Sequence, residues 1–155
     1  MIVQGELTPL DYAGRQGHVS IVEALLNRET NLHAVNLSRS HLSREKALAV
    51  IAVLVRYPSI STLNLSSNGY RNEDAVAIAR AVTEGVASIT DLDLSDNAID
   101  VAGGLALVEA LSTNTTLTAL NLEGQPAGRD PEVQAQLQAL LERNRGLAMF
   151  GIGLK

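Results

Sequence analysis

Four segments of the chain repeat one apolar spacing at a nearly constant interval, and that interval restricts the fold more than any other feature. LHAVNLSRSHL begins at Leu32, ISTLNLSSNGY at Ile60, ITDLDLSDNAI at Ile89 and LTALNLEGQPA at Leu117. Their third apolar position falls at Leu37, Leu65, Leu94 and Leu122, in steps of 28, 29 and 28 residues. A partial fifth copy, LAMFGI, starts at Leu147 and puts Phe150 and Ile152 into the same two slots. Self-similarity at a fixed period of roughly 20 to 50 residues marks stacked repeats.

A second pattern follows each copy. Small or apolar residues stand at Ala47, Val50, Ile51 and Leu54, then at Ala75, Ile78, Ala79 and Val82, then at Gly104, Leu107, Val108 and Leu111. Spacing of three and four is one face of a helix, whereas the motif itself alternates at the period of a strand. Ser43, Asn72, Asp100 and Asp130 are placed to accept from the free amides of these helices, Pro131 suits a first turn, and Asn68-Gly69, Gly85 and Gly124 punctuate the ends. A strand-helix unit cannot bury its apolar faces alone, so the copies must stack. The predicted architecture is α/β, a curved solenoid with a parallel inner sheet and outer helices.

These motifs resemble the leucine-rich repeat family, and the 28- and 29-residue periods with full helices are similar to its ribonuclease-inhibitor-like branch. The resemblance implies that Asn68 and Asn97 hydrogen-bond backbone groups of the turn, with Ser40 and Gln125 in the same slot of the first and fourth copies. It assigns Leu65, Leu94 and Leu122 to the core. The expected repeats are 32–59, 60–88, 89–116 and 117–146, with a partial one over 147–155.

The first 31 residues differ. In GELTPLDYAGRQGHVSIVEALLNR, the residues Thr8-Pro9-Leu10, Ala13, Gly17-His18, Ile21-Val22 and Leu25-Leu26 resemble one ankyrin repeat, with Asp11 where a His is usual and Gly14 where Ala is common. Thr8 and Pro9 open a first short helix, Gly17 ends it, and Val19 to Asn27 form a second. One such repeat needs a neighbour. Val22-Glu23-Ala24-Leu25 aligns with Val108-Glu109-Ala110-Leu111, so the segment reads as an amino-terminal cap on the solenoid, the alternative being the stub of a longer array.

Strand parity sends alternate residues to the inner face. Ala34, Asn36 and Ser38 lie there, followed by Thr62, Asn64 and Ser66, then Asp91, Asp93 and Ser95, then Ala119, Asn121 and Glu123. The polar members of this set are the candidate partner-binding residues. They include no Trp, Tyr or Arg, the residues that dominate binding hot spots. Five strands at about 4.8 Å spacing give a face of roughly 350 Å², below the roughly 800 Å² per partner of a standard interface, so loops and rims must contribute.

Chemistry finds little purchase. Asp91, Asp93 and Asp96 read as a solvated acidic patch, because calcium needs about six to eight oxygens and a strand fixes the first two at one spacing. His18, His33 and His41 are scattered, and there is no cysteine, which excludes thiolate metal sites. No catalytic residue, metal or cofactor is assigned. A net charge of −5 argues against a nucleic-acid surface. The apolar run from Ala47 to Val55 is too short for a membrane span, and Met1 to Gly5 lacks the pattern of a secretory leader. The Asn36, Asn64 and Asn114 sequons are chance products of the repeat.

The expected function is a noncatalytic protein-protein interaction or scaffolding module whose partner is another protein. The alternatives are a regulator of a small GTPase, a bacterial effector acting on a host protein, and a purely structural or oligomerisation module. Leu147 to Ile152 form a candidate self-association edge. The expected setting is the cytoplasm, or a host cell for a bacterial chain delivered into one.

Overall fold

The computed structural model describes residues 6–86 and 89–150. Four three-residue strands, β1 (Ala34–Asn36), β2 (Thr62–Asn64), β3 (Asp91–Asp93) and β4 (Ala119–Asn121), form one parallel sheet in the order 1-2-3-4. The register is unbroken. Val35, Leu63, Leu92 and Leu120 lie side by side, and so do Asn36, Asn64, Asp93 and Asn121.

Helices α1 (Pro9–Arg15) and α2 (Val19–Arg28) precede the sheet, and α3 (Arg44–Leu54), α4 (Asn72–Glu84) and α5 (Val101–Ala110) follow the first three strands. After β4 come a single turn, α6 (Pro126–Arg129), and the long α7 (Pro131–Met149). Successive helices pack on one another from α2 to α5, and α5 rests on α6 and α7. All twelve of the helical positions spaced three and four apart are buried, and so are Leu37, Leu65, Leu94 and Leu122. The core is one continuous aliphatic cluster running between sheet and helices.

Helix starts follow capping chemistry. Ser43, Asp100 and Asp130 each accept the amide three residues on, at 3.4, 2.9 and 2.9 Å. At α4 the cap is Arg71 and not Asn72: Asp74 Oδ2 accepts the Arg71 amide at 2.9 Å, and Asn72 turns outward to bond Asp100 in the next repeat. An acidic residue at the third helical position outcompetes Asn72 because it closes the turn from inside.

The helix pair α1–α2 sits against the first repeat. Thr8 and Asp11 bond each other's amides, and Pro9 occupies the first turn. Gly17 then takes φ +71, with Leu42 Cδ2 and Lys46 Cδ within 3.2 Å of where a Cβ would stand. Asp11 also reaches the free edge of β1, accepting the Asn36 amide on Oδ1 at 2.7 Å, while Arg15 donates to the Ser38 carbonyl. Two side chains thus stand in for a neighbouring strand and blunt an edge that would otherwise be open to pairing.

At the other end the expected fifth strand is replaced by helix. Leu147, Ala148 and Met149 are the last residues of α7, and Phe150 is its C-cap. Leu, Ala and Met favour a helix once it has been started, and Gly146 keeps helical backbone, so the helix does not stop at the repeat boundary. Gly151 and Ile152, the last two residues of the proposed edge, lie outside the described residues. Met149 and Phe150 are exposed.

Tyr70 packs into the core just after the β2 turn. Burial first, and the Asp74 carboxylate second, push its phenol from 10.0 up to about 12. The folded state keeps a proton that the unfolded chain releases, so this contribution is whole below pH 10 and declines as pH rises through the 10 to 12 window. The urea midpoint of wild type should therefore drop more steeply over that range than that of Tyr70→Phe. Parallel profiles would remove the phenol as the cause.

Candidate functional site

The inner face of the sheet divides into rows that do different work. In the row Asn36, Asn64, Asp93 and Asn121, every side-chain Oδ1 accepts the backbone amide two residues on, at 2.9 to 3.0 Å. In the first three repeats the same oxygen also accepts the hydroxyl of Ser38, Ser66 or Ser95, at 2.6 to 2.8 Å. Each is an Asx turn that bends the chain out of the strand. Side chains that parity alone assigns to a partner are already engaged, and Ser95 is buried.

The next residue in each repeat, Arg39, Ser67, Asp96 or Gly124, has φ between +51 and +78. Left-handed backbone is costly outside glycine. It persists here because the amide at that position donates to the neighbouring repeat: Arg39 to Ser66 O, Ser67 to Ser95 O, and Asp96 to Glu123 O.

Beyond it runs a ladder of amides. Asn97 Nδ2 lies 2.9 to 3.2 Å from the carbonyls of Leu65, Leu94 and Ser95, while its Oδ1 accepts the amides of Asn68 and Tyr70. Asn68 repeats this one step back, toward Leu37, Leu65 and Ser66, and accepts the Ser40 amide and hydroxyl. Gln125 does a reduced version, bonding Leu94 O and the Ile99 amide. Each rung joins two repeats.

Two structural groups had only faint sequence signals. Asn114, fully buried, accepts the amides of Thr116 and Leu117, and Asn144 reaches the Leu117 carbonyl at 2.8 Å. Asn144 continues the buried Leu137 and Leu141 face of α7, so a polar residue in an apolar slot was the available clue. That role, and the turns at Asn36 and Asn64, give the three sequons a structural account.

The row Thr62, Asp91 and Ala119 takes no part in the turns. Among the described residues Asp91 accepts only the Thr90 hydroxyl, at 2.9 Å. Beside it a hollow of about 270 Å³ opens between β3, β4 and α7, lined by both aspartates, Leu120, Gln138, Leu141 and Arg145. Leu120 is half-buried, unlike its counterparts Val35, Leu63 and Leu92. Among the described residues no group of three or more His, Cys, Asp or Glu is arranged to hold a metal, and no helix is long and apolar enough to cross a membrane.

Asp93 separates charge from turn geometry. Asp93→Asn should keep wild-type stability, because Asn makes the same turn in the other three repeats, whereas Asp93→Ala should cost about 1 to 2 kcal/mol by orphaning the Ser95 amide. Urea unfolding of both variants decides this, and equal midpoints would refute the turn's contribution.

A family model described as Leucine Rich repeat matches residues 87–108, the third copy of the motif and most of its helix. That segment is similar to a leucine-rich repeat. RAN GTPase-activating protein 2 of Arabidopsis thaliana is 28% identical to it over 109 residues, 70% of this chain and 20% of that protein. Human leiomodin-1 is 28% identical over 131 residues, 84% of this chain and 22% of leiomodin-1. The chain therefore spans about a fifth of the length of these relatives. The solved structure of leiomodin-1 actin-binding site 2 superposes with a TM-score of 0.73 at 21% identity, covering 88% of this chain and 77% of that one, and so shares the fold.

Proposed function

We propose that the chain is a noncatalytic protein-binding module that engages its partner through the inner sheet face and the adjoining strand-to-helix loops. The observation that carries this is the free row on the inner face, Thr62, Asp91 and Ala119, small or acidic side chains that the turns do not use. Asn36, Ser38, Asn64, Ser66, Asp93, Asn121 and Glu123 frame that row and offer their remaining polar atoms at its rim, while Ser95 is buried behind it. Three-residue strands reduce the face to roughly 190 Å², so the loops supply most of the contact.

Finer assignments belong to the same reading. The repeats are of the ribonuclease-inhibitor-like type, given their 28- and 29-residue periods, and residues 1–31 form an ankyrin-like cap, supported by the Thr8 capping box, Gly17 and the contacts of Asp11 with β1. The setting is the cytoplasm, or a host cell for a delivered bacterial protein.

Affinity capture tests the reading. Wild type should retain a protein that a Thr62→Arg/Ala119→Arg variant of equal melting temperature loses; retention by both, or by neither, would sink it. Monomeric actin and Ran are the first purified candidates, since the relatives' names point to them. A second reading, regulation of a small GTPase, draws on the match to RAN GTPase-activating protein 2 and on exposed Arg39 and Arg71 in the loops. GTP hydrolysis by Ran that is unaltered on adding the chain would remove it.

A further inference from the structure

The hollow between β3, β4 and α7 has features that the ladder does not require. Asp93 stands where the other three repeats carry Asn, and its turn needs only one acceptor oxygen. The second oxygen of Asp93, and that of Asp91, has no hydrogen-bond partner among the described residues. In register beside them stand Thr62 and Asn64 on one side and Ala119 and Asn121 on the other, none cationic. Arg145 on α7 is the cation lining the hollow, and it donates to the Thr118 carbonyl at 2.8 Å. One wall thus holds two carboxylates with spare acceptors, and the rest sets the apolar surface of half-buried Leu120 and of Leu141 beside Asn121, Gln138 and Arg145.

We propose that this hollow docks an extended peptide segment of a partner protein, one that carries a Lys or Arg beside an aliphatic residue. The proposal rests on the protein-binding reading above and narrows it to one place and one ligand chemistry. The basic side chain faces Asp91 and Asp93, and the aliphatic one covers Leu120 and Leu141. At about 270 Å³ the space takes a few side chains and not a globular surface, because a standard globular interface needs roughly 800 Å² from each partner. An extended segment also suits a site beside β4, the edge strand of the sheet.

The test is a selection of phage-displayed random seven-residue peptides on the full chain, followed by fluorescence anisotropy with the most enriched peptide. Two variants probe the hollow without disturbing the turns. Asp91→Thr/Asp93→Asn gives β3 the inner-face residues of β2, and Gln138→Trp fills the space from an exposed helix position. Enriched peptides should pair Lys or Arg with Leu, Ile, Val or Met. Each variant should weaken binding about tenfold or more, and added salt should weaken it further. Peptides lacking a basic residue, or affinities unchanged in both variants, would overturn the hollow as the site while leaving the wider reading to the Thr62→Arg/Ala119→Arg capture. No enrichment at all would overturn it as well.

Discussion

Leu94→Ala should lower the stability of the chain by about 2 to 5 kcal/mol, measured by urea unfolding at 25 °C. Leu94 is fully buried, and it lies in register with Leu65 and Leu122 of the adjoining repeats. The backbone around Leu94 is tied to the repeats on either side: the Leu65 amide donates to Asp93 O and the Leu94 amide to Asn121 O. A cavity left between them cannot collapse without breaking the ladder, which places the cost toward the upper part of that range. Leu120→Ala, at a half-buried position, should cost clearly less. Equal midpoints for Leu94→Ala and wild type would refute the packing register.

Asn97→Ala is the second large effect, expected at about 3 kcal/mol or more. The side chain serves five backbone groups, the carbonyls of Leu65, Leu94 and Ser95 and the amides of Asn68 and Tyr70, in two repeats at once. Alanine leaves the amides of Asn68 and Tyr70 without their acceptor and takes one donor from each carbonyl, which keep Asn68 Nδ2, Gln125 Nε2 and the Ser67 amide. It also frees the turn at Asp96, whose positive φ is otherwise held from both sides. Because Asn68 takes the Asn97 oxygen on its own amide, the loss should propagate back toward Ser40. Gln125→Ala, which removes two bonds, should cost less.

Much of this fold is legible in the sequence because two periods coexist within one repeat. Alternation in ITDLDLSDNAI buries Leu92 and Leu94, and the three-and-four spacing of Ala75, Ile78, Ala79 and Val82 buries one face of α4. Such patterns report burial, and burial is what they locate. They do not report hydrogen bonds. Parity puts Asn36, Asn64, Asp93 and Asn121 on the inner face, but only coordinates show each side chain folding back on the amide two residues later. The recurrent Ser two positions on was the available trace of that turn in the first three repeats.

Ends were harder than the middle. LAMFGI matches the strand register, yet its first three residues complete α7, because local helix propensity needs no neighbouring strand to act. Asp11, a departure from the ankyrin-like pattern, turns out to seal the β1 edge, a long-range contact that no local pattern encodes. The candidate binding row was readable as exposed small polar residues. The hollow beside it was not, since it depends on where α7 lies.

Asn97 locks neighbouring repeats together through their backbones. Native-state hydrogen exchange on Asn97→Ala, followed at the amides of Asn68 and Tyr70, tests it most directly. Both amides donate to Asn97 Oδ1, at 2.9 and 3.1 Å, so both should lose more protection than the global loss of stability accounts for. Protection reduced only by the global amount would contradict the account.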